Sequence, residues 1–264
     1  MGILENKYYL EESVFKPENL LREAKRQRQL EDCQIPSICL LDPDGDLLEY
    51  LSREKKTTLN KCWACYHSKL YSFSFEGWEI GIVPCIVGSS YAVLVAEQLF
   101  VSGCRLLISV TSAGVINYPV ENKKFALITS SIRDEGTSYH YLPPEASSCL
   151  SIGLLKQLIS KEQGKDCPYI EGISWTTDAP YRETGSAIKE MKEQNIVCVE
   201  MEAAALYALS EVKKYNIICF AHLTNSMAQA EGDFEKGEEF GSIDTLNLIR
   251  YVLNLLHDFL FKLP

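Results

Sequence analysis

The residues best suited by type to do chemistry lie in one short run, Ile196 to Ala208. It carries two carboxylates, Glu200 and Glu202, with Met201 between them. A carboxylate is an acceptor-only, charged group, strong in hydrogen bonding where it is held in place. Ile196 to Val199 is apolar and mostly β-branched, the composition of a buried strand. From Ala203 onward the run is rich in Ala and Leu, which favours helix. If the chain is still extended at 200–202, both carboxylates point to one side and Met201 to the other. They then stand at the carboxyl end of a strand, where open α/β sheets receive ligands. Burying an ion without partners is costly, so the pair calls for a reason. The plain alternative is two helix-start acids facing water and favoured by the helix dipole.

Other runs change the weighing. Thr111-Ser-Ala-Gly-Val-Ile116, Ser131-Ile-Arg-Asp-Glu-Gly-Thr-Ser-Tyr-His140, Thr176-Thr-Asp-Ala-Pro-Tyr-Arg-Glu183 and Val199-Glu-Met-Glu-Ala-Ala-Ala205 follow one another in that order. Each alone is weak; the ordered set is specific. Together they resemble the nucleoside phosphorylase superfamily, the branch of uridine phosphorylases, hexameric purine nucleoside phosphorylases and related nucleosidases. The resemblance runs roughly from Ile38 to His222 and leans to the uridine phosphorylase side.

That resemblance implies an enzyme that cleaves the N-glycosidic bond of a nucleoside, with phosphate as acceptor and no cofactor. Glu202 would bind the ribose hydroxyls, Met201 would pack on the sugar, and Glu200 would lie near the base. The Thr176–Glu183 loop would line the base pocket, with Arg182 offering a fork of donors to a base carbonyl and Asp178 holding the loop in shape. Thr111, Ser112, Gly114 and Gly88 could form a small anion nest from hydroxyls and backbone amides. Arg133 and His140 would stand near the site; His140 suits a proton shuttle or a hydrogen-bonded structural role equally. Asn225 falls where purine-cleaving hexamers and hydrolytic nucleosidases carry an Asp that protonates the base. An amide cannot supply that proton, which points to a base recognised through amide contacts.

The acceptor site departs from the family. The first turn reads Leu41-Asp-Pro-Asp-Gly45 with no Arg after it, and Ser109 stands at the strand Arg. Tyr66 and His67 stand where a neighbouring subunit lends an Arg, and no His precedes His67. Asp42, Asp44 and Asp46 add negative charge where phosphate belongs. Phosphorolysis remains what the resemblance implies. The missing arginines favour water as the acceptor instead, unless His67 or Arg133 replaces them. A catalytically silent nucleoside-binding protein is the reading of another class.

The elements that must position these residues alternate strand and helix. Strands are expected at Ile38–Leu41, Leu70–Phe75, Trp78–Val87, Leu106–Val110, Phe125–Ser130, Tyr169–Trp175 and Ile217–His222, with helices at 17–31, 47–53, 91–100, 147–162, 183–194 and 245–261. That alternation gives an α/β fold whose central mixed, mostly parallel sheet is flanked by helices. A helical extension over residues 1–36 precedes one structural unit over 37–264. The polar stretch 230–239 reads as a loop, possible as a lid.

The chain has 264 residues, 46% hydrophobic and 23% charged, with a formal net charge of −10. That charge argues against nucleic acid and anionic membrane as partners. No run reaches a membrane span, and Met1–Leu10 lacks a secretory apolar core. The 10 cysteines are scattered, several within apolar runs, which implies reduced thiols and a cytoplasmic protein. Cys62-Trp-Ala-Cys65 has no second pair, so no metal site is expected. The resemblance implies a homo-oligomer, a dimer or hexamer.

Overall fold

A computed structural model describes residues 2–117, 123–159, 167–225 and 231–261. The expected strands form, and several run further than their apolar cores. They are β1 (Ile38–Asp42), β3 (Tyr71–Phe75), β4 (Trp78–Pro84), β5 (Leu106–Val115), β6 (Phe125–Asp134), β8 (Tyr169–Thr177), β9 (Cys198–Glu200) and β10 (Ile217–Asn225). Two short strands, β2 (Thr58–Leu59) and β7 (Ser148–Cys149), were not legible in the pattern. The helices are α1 (Pro17–Arg28), α2 (Asp46–Arg53), α3 (Ser89–Val101), α4 (Ile152–Ile159), α5 (Gly185–Glu193), α6 (Ala203–Lys213) and α7 (Ser242–Leu260).

All strands belong to one mixed sheet. β5 pairs with both β9 and β10, and β9, β8, β6 and β10 pair in succession, so these five strands close on themselves. The two longest pairings, β5 with β10 and β6 with β8, are parallel. From β5 the sheet continues through β1, β4 and β3 to β2. Closure explains the extra strand length: Thr111–Val115, Ser131–Asp134 and Leu223–Asn225 are too polar or mixed to announce a strand, yet each finds a backbone partner in the ring. An unpaired buried amide would be costly, so pairing extends wherever a partner is offered.

α6 shows why the Ala-rich run has that composition. Every residue from Ala203 to Ser210 is buried, between the sheet and α3. The alanines let the helix approach closely, and Tyr207, the largest side chain of the run, places its hydroxyl on the Ile128 carbonyl at 2.6 Å. α1 packs on α3 through Leu21 and Ala24, which join Ala64 in a small apolar cluster.

Two expectations are corrected. The helix expected over 147–162 begins later, because Ser148 and Cys149 pair with Ser131 and Ser130 of β6, and α4 starts at Ile152. Edge pairing outbids a weak helix propensity there; residues 160–166 lie outside those described. The cysteines are not all free thiols: Cys33 is bonded to Cys62, tying the segment after α1 to the loop before β3. Sequence spacing could not show this, since the partners are 29 residues apart. No described helix is long and apolar enough to cross a membrane. No cluster of metal-ligating side chains occurs among the described residues.

Candidate active site

The site forms where β9 ends and α6 begins. Glu202 occupies the N-cap position of α6, yet its side chain makes no cap. It turns instead toward the start of α3, where its Oε1 accepts the Gly88 N–H at 2.7 Å. Gly88 has φ 92°, a backbone conformation that glycine adopts without strain. Ser89 closes the junction by donating its hydroxyl to the Met201 carbonyl at 2.8 Å. Met201 itself is half-buried.

The second oxygen of Glu202 is the unusual atom. Oε2 is buried and has no hydrogen-bond partner. The Thr111 hydroxyl lies beside the carboxylate and eases its charge, but it is turned to the Ser112 carbonyl at 3.3 Å. Burial, and then the charge of Glu200, push Glu202 up to about 8. A buried carboxylate oxygen without a donor costs free energy unless a ligand supplies one.

Glu200 is placed differently. Its Oε2 accepts the N–H groups of Glu202 and Ala203, each at 2.7 Å. Its Oε1 accepts the hydroxyls of Ser174, at 2.9 Å, and Thr176. Burial raises its pKa, and these four bonds pull it back. No oxygen is left facing a base.

Of the residues expected to form an anion nest, Gly88 gives its N–H to Glu202, Gly114 lies in strand pairing, and Ser112 gives its donors to a carboxylate of the chain itself. Asp44 accepts the Ser112 N–H at 3.1 Å and the Ser112 hydroxyl at 3.0 Å. Lys236 reaches across to Asp46 at 2.5 Å and to Asp44 at 3.4 Å. Asp42, buried behind them, is pushed up to about 7, by burial first, while its bond from the Leu48 N–H at 2.9 Å pulls the other way. Ser109, at the expected strand arginine, is buried with an unpartnered hydroxyl. Lys236 was not foreseen; the one signal was a lysine standing alone among acids in Glu231–Glu239. His222 lines the same cleft, stacked on Phe125 at 4.6 Å and held down to about 4 by burial.

The remaining candidates divide. Gly114 pairs with Val199 of β9 and with Asn225 of β10, so Asn225 sits one strand away from the Glu200 junction. The Asn225 amide donates to the Thr224 hydroxyl at 3.0 Å. Arg133 is spent: Nε bonds Ser138, and its other nitrogens bond the carbonyls of Leu142, Pro143 and Ala146 at 2.7–2.9 Å. It clamps its own loop, with one N–H left. Asp178 holds the same region by accepting the Gly136 N–H at 2.8 Å. His140 and His67 are exposed. Arg182 is exposed on a short 3-10 turn, Pro180–Arg182, at the carboxyl end of β8. Its neighbour Glu183 is pushed up to about 7 by burial.

Comparison with known proteins shows the family and the fold. The family model of the phosphorylase superfamily matches residues 37–257. A guanosine phosphorylase of Halorubrum lacusprofundi is 24% identical over 145 residues, covering 55% of this chain and about 60% of that protein. A uridine phosphorylase of Thermococcus kodakarensis is 23% identical over 213 residues, covering 72% of this chain and 76% of that protein. Among solved structures, an AMP nucleosidase from Bacteroides thetaiotaomicron superposes with a TM-score of 0.70 at 22% identity, over 92% of this chain and 99% of that one. A purine nucleoside phosphorylase from Toxoplasma gondii gives a TM-score of 0.70 at 13% identity, over 86% and 92%. At such identities the structural likeness speaks for the fold. With the closed five-strand ring, the Glu202 junction and a family match from before β1 into α7, the chain belongs to the phosphorylase superfamily.

Proposed function

We propose that this protein cleaves the N-glycosidic bond of a nucleoside, holding the ribose through Glu202 and Met201. The observation that carries the reading is the unpartnered, buried Oε2 of Glu202. Ribose offers adjacent hydroxyl donors, and a carboxylate that receives them also stabilises the positive charge that builds on the sugar as the base leaves. The names of the relatives, guanosine and uridine phosphorylase, support a nucleoside substrate and phosphate as the ordinary acceptor.

A second observation favours water as the acceptor here. Asp44 already occupies the Ser112 amide and hydroxyl that would receive an anion. Phosphate would have to displace a carboxylate and then sit beside Asp46, with Lys236 as the one cation on the cleft among the described residues. Water meets no such repulsion: in this reading its oxygen bonds C1′ as the C1′–N bond breaks, the electron pair leaves with the base, and the Asp44 carboxylate on that cleft receives the proton. The active unit is proposed to be a dimer or hexamer, in keeping with the exposed Leu10, Val14 and Phe15, and light scattering measures it.

The test is a panel of uridine, inosine, guanosine and adenosine incubated with and without phosphate, with the sugar product identified. Free ribose at a rate insensitive to phosphate is the expected result. Ribose 1-phosphate formed with saturation below about 1 mM would overturn the water reading. Binding without turnover would make the protein a silent nucleoside binder.

A further inference from the structure

The position of Glu200 has its own explanation. A helix start leaves several N–H groups without partners, and a short Ser, Thr, Asp or Asn side chain at the N-cap ordinarily folds back to take the second or third of them. Glu202 holds that N-cap position, with φ −131° and ψ −36°, and does not fold back. Three amides at that start are already taken by other groups. Glu200 accepts those of Glu202 and Ala203, and the Thr176 hydroxyl accepts that of Ala204 at 3.0 Å. Glu200 is itself anchored to β8 by Ser174 and Thr176, and both hydroxyls meet Ser131 of β6, at 2.8 and 2.6 Å. A fixed frame spanning two strands thus caps the helix from outside and leaves the Glu202 side chain free to reach Gly88.

We propose that Glu200 is a positioning residue: by holding the Glu202 and Ala203 amides at the start of α6 within the frame of Ser174 and Thr176, it fixes the backbone from which the Glu202 carboxylate reaches the sugar. The proposal rests on the reading of Glu202 as the ribose carboxylate. It replaces the expected contact of Glu200 with the base. A second consequence follows from charge. Glu200 stands beside Glu202 and opposes its ionisation, after burial the largest influence on it. The other groups facing Glu202 are uncharged: the Gly88 and Met201 amides and the Thr111 hydroxyl. Behind the pair, the Cys198 and Cys219 thiols and the Tyr207 phenol are held neutral by burial and by these carboxylates. Removing the Glu200 charge while keeping its shape should therefore make Glu202 ionise at lower pH.

The experiment measures kcat and KM for nucleoside cleavage from about pH 5.5 to about pH 9.5 in wild type, Glu200→Gln, Glu200→Ala and Glu202→Ala. In Glu200→Gln the side-chain carbonyl still takes both amides, and its NH2 faces hydroxyls that can accept. Its plateau kcat should stay within about threefold of wild type, while the acidic limb of kcat/KM moves down by about one pH unit. In Glu200→Ala the two amides are orphaned, the backbone that aims Glu202 loses its anchor, and kcat should fall about a hundredfold at every pH. Ser174→Ala, which loosens the hold on the Glu200 charge and leaves the helix amides alone, should move the limb the same way by less; it serves if Glu200→Gln does not fold. An unmoved limb in both Glu200→Gln and Ser174→Ala, with only a lower Tm, would make Glu200 a structural residue and overturn the proposal. So would a changed ratio of uridine to inosine turnover in Glu200→Gln, which would put Glu200 on the base. Near-normal kcat in Glu202→Ala is a separate outcome; it removes the ribose reading and the positioning role with it.

Discussion

Replacing Asp44 by Ala tests the acceptor site directly. The Asp44 carboxylate holds the Ser112 N–H at 3.1 Å and its hydroxyl at 3.0 Å. Hydrogen bonds to a charged group contribute roughly 1.5–3 kcal/mol each. The Asp44 side chain is 30% exposed, so water competes for it. Counting only half of the lower sum leaves about 1.5 kcal/mol, close to a factor of ten in an equilibrium constant. Phosphate need not displace that carboxylate in Asp44→Ala, and Lys236 keeps Asp46 as its partner. Apparent phosphate affinity should thus rise about tenfold or more, with relief of charge repulsion acting in the same direction. The phosphate-independent rate should fall at the same time, because the carboxylate proposed to take the proton from water is gone. Base release is followed by chromatography against phosphate from none to tens of millimolar, and free ribose is distinguished from ribose 1-phosphate. If Asp44→Ala keeps the wild-type rate without phosphate and shows the same phosphate dependence, Asp44 does not stand on the attacking face and the argument for water fails.

Three further outcomes are expected. Glu202→Ala should lower kcat by about a hundredfold or more without loss of fold; since burial raises the Glu202 pKa to about 8, its ionisation opposes folding as pH rises from about 4.5 to about 8, and the variant's Tm should decline less over that range. Arg182→Ala should alter the preference among bases more than that between ribose and deoxyribose, and equal losses across all substrates would make it a structural residue of its turn. Asp42 is pushed up to about 7, so wild type should lose stability as pH rises from about 4 toward about 7, and Asp42→Asn should flatten that part of the Tm profile; an unchanged slope would show the carboxyl to be more hydrated than its burial implies.

What the sequence determined by itself was mostly what local pattern and residue chemistry decide. The apolar runs at Ile38, Leu106, Phe125, Tyr169 and Ile217 became strands, because a continuous β-branched or aromatic run has few other ways to bury itself. The Ala-rich run after Glu202 became a buried helix, and the absence of arginines around Leu41–Gly45 and Ser109 was plain in the letters. The acidic character of Asp42, Asp44 and Asp46 was equally legible, but not that Asp44 itself takes the Ser112 donors. Tertiary structure decided everything that depends on which oxygen meets which donor. Glu200 and Glu202 are two residues apart and chemically identical. One has all its bonds inside the frame of Ser174, Thr176 and the first amides of α6, and the other keeps a buried oxygen without a partner. Likewise, Arg133 looked available for an anion until its guanidinium was found on three carbonyls of its own loop, and Lys236 joined the cleft from 190 residues beyond Asp46. Periodicity reports which face of an element is apolar. Hydrogen-bond partners across strands distant in sequence follow only from the closing of β5 onto β10, which no local pattern encodes.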